Sequence, residues 1–190
     1  MLLLSKILLS VALFWFIGSS ITHLQQAHAS PGRQENPVPC LHKEREALDF
    51  LMGDWNVEAN VRLGDGKWEH SSATSQIKPD LSGCLLSERF TGTRNGHAFT
   101  ALALMAFNNT SKKLQRLWSD SEHGLLILYD GNRSENEIIL ETEILLDGRS
   151  VKLRNSYLEI TGNSFNLESA RSTDGGKTWI TVTRLRYTRK

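Results

Sequence analysis

The stretch Trp55-Asn56-Val57-Glu58-Ala59-Asn60-Val61-Arg62-Leu63 decides the fold. Every odd residue is apolar and every even one polar, the period of a strand with one face on a core and the other in water. Gly64-Asp65-Gly66 then turns the chain. Downstream, the same grammar predicts strands near 68–77, 84–93, 99–107, 114–120, 125–130, 138–145, 151–160, 165–172 and 179–187. The separators are turn chemistry: Pro79-Asp80, Arg94-Asn95-Gly96, Asp130-Gly131-Asn132, Asp147-Gly148, Gly162-Asn163 and Asp174-Gly175-Gly176. Ten short strands at hairpin spacing predict an antiparallel, up-and-down meander. A twisted sheet of that many strands closes or splits, and closure removes its exposed edges. Upstream, residues 41–52 place Leu41, Ala47, Leu48 and Leu51 near one side and end at Gly53, which predicts one short N-terminal helix. Segments 99–107 and 125–129 are apolar on both faces. They are either covered from outside, by the helix or a partner, or they line a cavity.

Composition sets the class. The chain has 190 residues, 22 Lys+Arg against 21 Asp+Glu, and two Cys. That length fits one domain. Near-zero net charge argues against a nucleic-acid partner, which needs a positive footprint. Residues 7–17 form an uncharged apolar run after the single charge of Lys6, followed by the small-residue site Ala27-His28-Ala29. Eleven residues span roughly 16 Å as a helix, short of a hydrocarbon core of about 30 Å. The pattern predicts a signal peptide over 1–29, a polar and disordered lead-in over 30–39, and a domain over 40–190. The mature chain would then be exported, periplasmic or extracellular, with no transmembrane segment. An oxidising compartment makes a Cys40–Cys84 bridge the default. Such a loop is worth roughly 4 kcal/mol in the chain-entropy model. The alternative, a reactive thiol pair, lacks C-x-x-C spacing.

Gly53-Asp54-Trp55, after a short helix, resembles the G-x-W signature of lipocalin-like barrels. The resemblance implies that Trp55 plugs the barrel floor and that a late basic residue, Arg184, Arg186 or Arg189, packs over it. Further matching words are Leu48 to Trp55, Ser82-Gly83-Cys84-Leu85-Leu86-Ser87-Glu88-Arg89-Phe90, Trp118-Ser119-Asp120, Asp174-Gly175-Gly176-Lys177-Thr178-Trp179 and Tyr187-Thr188-Arg189. Together, over about residues 40–190, they resemble a secreted bacterial domain family of unknown function. That likeness implies an all-β, ten-stranded, lipocalin-like barrel and no established reaction.

Several motifs are bland on inspection. Ser172 to Trp179 resembles the Asp-box, a hairpin brace in which Asp174 accepts backbone N–H bonds, Gly175 supplies turn geometry and Trp179 packs beneath. Gly176-Lys177-Thr178 mimics a phosphate loop, but Arg171 stands where its first glycine belongs. Ser119, Asp120 and His123 read as a polar loop rather than a hydrolytic triad. The histidines after residue 29 (42, 70, 97 and 123) form no metal motif, so no metal site is expected. Haem held by His70, His97 or His123 is an alternative, although no histidine falls in the late strands. The expectation is a barrel without a cofactor.

The informative residues break the parity of their strands. Glu88 shares a face with Cys84, Leu86 and Phe90; Arg171 shares one with Phe165 and Leu167; Arg116 and Asp120 flank Trp118. Inward charges must be paired or must meet a ligand. The expected function is therefore binding of a small apolar or amphipathic molecule inside the barrel, with Glu88, Arg116, Trp118, Asp120 and Arg171 as polar contacts. No catalytic residue is assigned. The alternatives are a filled barrel serving structure or interaction in the envelope, and an enzyme using Glu88 as acid or base.

Overall fold

The computed structural model describes Cys40 and residues 43–190; the expected targeting segment 1–29 and lead-in 30–39 lie outside the described residues. Ten antiparallel strands follow in order: β1 (Gly53–Arg62), β2 (Trp68–Asp80), β3 (Leu85–Arg94), β4 (His97–Asn108), β5 (Lys113–Asp120), β6 (Ile127–Arg133), β7 (Ile138–Leu146), β8 (Arg149–Leu158), β9 (Ser164–Ser172) and β10 (Ile180–Arg189). Each pairs with its neighbours in the chain, and β1 also pairs with β10, so the sheet closes into an up-and-down barrel. The closing seam runs from Trp55 opposite Arg189 to Val61 opposite Thr183. Alternation then sorts the side chains: Trp55, Val57 and Ala59 are buried inside, while Asn56 and Glu58 face water.

The expected helix over 41–52 is reduced to one α-turn, α1 (Lys43–Glu46), and a separate 3₁₀ turn at Asp49–Leu51; residues 41 and 42 lie outside the described residues. Backbone bonds from Leu48 N to Arg45 O and from Leu51 N to Leu48 O have the i→i−3 spacing. That spacing stacks Leu48 over Leu51 on one side of the segment, and both are buried. Burial of these two residues thus outweighs the helical propensity of the stretch. Arg133 braces the segment, donating from Nη1 to Ala47 O at 2.6 Å, with its guanidinium 5.8 Å from the Phe50 ring.

Two turn assignments shift. Asp130-Gly131-Asn132 lies inside β6, where Gly131 pairs with both Leu114 and Leu140. A Cβ on Gly131 would strike the Ile139 carbonyl oxygen, so this glycine permits close strand approach rather than a turn. Pro79-Asp80 ends β2, and Leu81–Gly83 makes the turn. Leu125 and Leu126, expected in a strand, precede β6 and are exposed. The two-faced segments divide: Phe99, Ala103 and Met105 are buried, whereas Leu102 and Leu128 on the outer face are 41% and 51% exposed. Cys40 and Cys84 form a disulfide that ties the chain before β1 to the turn before β3.

Candidate functional site

From the floor upward, the interior has three layers. The first is aromatic. Trp55 is wholly buried, donates from Nε1 to Leu51 O at 2.8 Å, and meets Phe165 edge-on at 5.0 Å between centroids. Phe165 in turn stacks on Tyr187 at 4.2 Å. Of the three candidate arginines, Arg189 covers the plug: its guanidinium lies 4.3 Å from the Trp55 ring. Its Nη1 donates to Met52 O at 2.9 Å and its Nε to Gly162 O at 3.0 Å. Gly53, at φ +138°, makes room, because a Cβ there would collide with Arg189 Nη1. Arg184 instead covers Trp68, and Arg186 is exposed.

The second layer is charged. Glu88 Oε1 accepts hydrogen bonds from Ser75 Oγ at 2.8 Å and from the Tyr187 hydroxyl at 3.0 Å, and Oε2 lies 3.6 Å from Arg116 Nη2. Glu88 and Arg116 are only 2% and 3% exposed. Charges so deep need partners, since desolvating each costs several kcal/mol. Burial opposes the charge on Arg116, but the Tyr157 phenol, Glu88 and the Tyr187 phenol outweigh it and raise its pKa. Burial also pushes the Tyr157 phenol up to about 12, against the pull of Arg116. Burial, reinforced by Glu88, raises Tyr187 well above its usual value. Both phenols are therefore neutral donors at physiological pH, and the Tyr157 hydroxyl donates to Met105 Sδ at 3.6 Å.

The third layer is hollow. Towards the end carrying the β1–β2, β3–β4 and β9–β10 hairpins lies a cavity of about 140 Å³. Its wall is mostly apolar (Ala59, Phe90, Phe99, Leu167, Leu185), with Arg116, Trp118, Tyr129 and Asn155 among it. An apolar cavity of about 150 Å³ admits benzene, which sets the scale at one ring. The Arg116 guanidinium stacks 4.4 Å from the Trp118 ring. Trp118 Nε1 donates to Asp120 Oδ2 at 3.1 Å, and Asp120 Oδ1 accepts from the backbone of Glu122 and His123 at 3.0 and 2.9 Å. The His123 ring contacts the same oxygen. Burial pushes the Asp120 carboxyl up, but these bonds win and lower it overall. At the rim, Arg94 pairs with Glu122 at 3.0 Å.

Of the residues singled out in the sequence, Arg116, Trp118 and Asp120 line this cavity; Glu88 sits among the buried side chains beneath it and does not line it. Arg171 does not join them. It is exposed at the end of β9, beside Thr173, Thr178 and Ile180. The alternation of β9 breaks there: β10 is bulged between Thr181 and Thr183, and Ser172 rather than Arg171 is buried. Sequence reasoning missed Ser75, Tyr129, Asn155, Tyr157 and Tyr187. Ser75, between Ala73 and Ile77, and Asn155, two before Tyr157, carry the same parity-breaking signal as Glu88. The tyrosines read as ordinary core.

The hairpin at Ser172–Trp179 is a brace. Asp174 Oδ1 accepts from Lys177 N and Thr178 N, both at 3.0 Å, and Oδ2 from Thr178 Oγ1 at 2.6 Å. These bonds hold its carboxyl far below the usual range. Arg154 caps Trp179 at 3.9 Å. Among the described residues, no cluster of three or more His, Cys, Asp or Glu is placed to hold a metal, and no helix is long and apolar enough to cross a membrane. His70, His97 and His123 do not line the cavity.

The fold has relatives among solved structures. The S-type phycobiliprotein lyase CPES from Guillardia theta superposes with a TM-score of 0.53 at 12% identity, covering 80% of this chain and 94% of that one. A protein of unknown function from the DUF3598 family of Nostoc punctiforme is 9% identical over 79% of this chain and 100% of its own, with a TM-score of 0.24. No functionally curated protein matches the sequence. The family model described as "Protein of unknown function (DUF1579)" matches residues 41–189, and the chain belongs to that family.

Proposed function

We propose that the chain is an exported, lipocalin-like barrel that binds a small, mostly apolar molecule in its upper half, with Arg116, Trp118 and Asp120 as polar contacts. One observation carries this reading: a sealed aromatic floor and the buried Glu88–Arg116 pair leave a mostly apolar chamber above them, with polar side chains converging on it. Apolar burial, at about 25 cal/mol per Å², would supply affinity, and the polar groups orientation. The likeness to the phycobiliprotein lyase supports the fold alone. Export rests on the apolar N-terminal run and its small-residue site, and the disulfide is compatible with it. Glu88 is poorly placed for acid–base work, since both its oxygens are engaged and it does not line the chamber.

Calorimetric titration of the purified domain with toluene tests the binding. The expected result is saturable, one-to-one binding with a change in tryptophan emission from Trp118. Ala59→Leu, which fills the chamber from β1, should abolish binding without unfolding the barrel. A folded protein with no heat and no optical response would overturn the reading. N-terminal sequencing of the protein recovered outside the cytoplasm should begin at Ser30.

A further inference from the structure

The two ends of the barrel differ in what they expose to water. In an up-and-down barrel alternate connections share an end, so those joining β1–β2, β3–β4, β5–β6, β7–β8 and β9–β10 all surround the mouth above the chamber. Three consecutive ones carry large, exposed apolar side chains: Leu125 and Leu126 after β5, Leu145 and Leu146 at the end of β7, and Ile180 at the start of β10. Leu126 and Leu145 are 74% and 77% exposed. The other two connections are tipped by Gly64-Asp65-Gly66 and Asn95-Gly96. At the opposite end, Leu81 is the only comparably exposed large apolar side chain among the described residues. A single exposed leucine needs no explanation, but such side chains gathered on neighbouring connections at one end mark an interaction surface.

The same side of the rim holds uncommitted positive charge. Between the β7–β8 and β9–β10 hairpins lies a cleft of about 740 Å³, lined by Leu146, Val151 and Ile180 together with Arg149, Arg171 and Thr173. Both arginines are exposed, and neither guanidinium has an ion pair or a hydrogen bond among the described residues. Asp147, on the same wall, pairs with neither, and Asp174 is spent on the brace. A free guanidinium offers a planar fork of donors that fits the oxygens of a phosphodiester. The apolar tips stand on separate connections with polar residues between them, Asp147 and Gly148 among these. A folded partner would need a matching pit for each tip. A lipid interface accepts separate apolar points and sets phosphates beside them.

We propose that the mouth end docks on a phospholipid membrane surface: Leu125, Leu126, Leu145, Leu146 and Ile180 enter the boundary between headgroups and acyl chains, and Arg149 and Arg171 receive lipid phosphates at the cleft. The docking holds whether or not the chamber takes a guest. It brings the chamber next to the phase in which apolar molecules dissolve.

Cosedimentation with vesicles of equal parts phosphatidylcholine and phosphatidylglycerol tests the docking. The purified domain over 40–190 is used, because it holds all ten strands and the disulfide and lacks the apolar run 7–17. It should partition onto the vesicles. Leu126→Ser with Leu145→Ser should weaken that partition at least about tenfold. Arg149→Gln with Arg171→Gln should weaken it at least about fivefold, an effect that fades in high salt. Leu81→Ser, at the far end, should leave it unchanged. All five side chains are exposed, so each variant should melt with the wild-type domain. A wild-type domain that stays in solution would overturn the proposal and leave the chamber reading standing. Wild-type partition by either double variant, or a loss in Leu81→Ser as large as in the leucine pair, would overturn it too. A domain that is dimeric by light scattering without lipid, and monomeric once Leu126 and Leu145 are replaced, would overturn it in favour of a second copy as the occupant.

Discussion

The lower and upper halves of the barrel are built from the same ten strands and differ in what fills them. Below, Trp55, Phe165 and Tyr187 interlock and Arg189 closes the end. Above, Ala59 and Ala73 stand where large side chains could, and a chamber remains. The buried Glu88–Arg116 pair marks the boundary. A cylinder of this size can be filled by its own side chains. Leaving a cavity of about 140 Å³ at one end while tiling the other end with aromatics separates two tasks: the floor half supplies stability, and the mouth half supplies room.

That division can be broken from either end. The largest loss is expected at the boundary: Glu88→Leu strands the Arg116 charge and removes the acceptor of Ser75 and Tyr187, costing about 3–5 kcal/mol in urea unfolding. Trp55→Ala empties the floor and should cost about 3–5 kcal/mol by the same measurement. A loss below about 1 kcal/mol in both variants would show that the lower half is not the stabilising one. Gly53→Ala, which forces a methyl onto Arg189 at a positive φ, should lower the melting temperature by several degrees, and much of that difference should persist in an Arg189→Ala background, where the backbone strain remains. In the upper half, Ala59→Leu should change stability by less than about 1.5 kcal/mol in either direction, because the new side chain enters empty space. A large loss there would mean the chamber wall is already packed.

The smallest effect expected is on acid stability. Asp174 has a folded pKa below its unfolded value, so its contribution is present above the ordinary carboxylate range and is lost as pH falls through the lowered value. Asp120 follows the same sign. Asp174→Asn should therefore melt earlier than wild type at neutral pH, and the two melting curves should converge as pH drops below about 4. Parallel curves down to strongly acid pH would remove Asp174 from the brace.

Most of the wall was legible in the sequence and most of the chamber was not. Most of the ten strands follow from alternation and turn residues, since both are local, while β4 and β6 were read from apolar runs and β6 runs through the residues taken for its closing turn. The helix was misjudged because the spacing of Leu48 and Leu51 suits a helix and a 3₁₀ turn alike, and only the floor beneath them decides. Gly131 carries the letters of a turn, yet its reason lies on the neighbouring strand, at Ile139. Glu88, Arg116 and Asp120 were visible as breaks in parity, a rule that fails at Arg171 because the alternation of β9 breaks opposite the β10 bulge and buries Ser172 instead. Which side chains meet around the cavity depends on residues from nine strands coming together, and no local pattern records that.

The seam between β1 and β10 joins residues separated by more than a hundred positions, and it brings Arg189 onto Trp55 only when the last strand arrives. Every other strand pair can form between chain neighbours, at small entropic cost, while this one waits for both extremities of the domain. Sealing the cylinder is therefore the step expected last in assembly. Until it happens, the first and tenth strands present raw edges that any extended polypeptide could join, so the speed of that last step sets how long the folding chain stays vulnerable to aggregation.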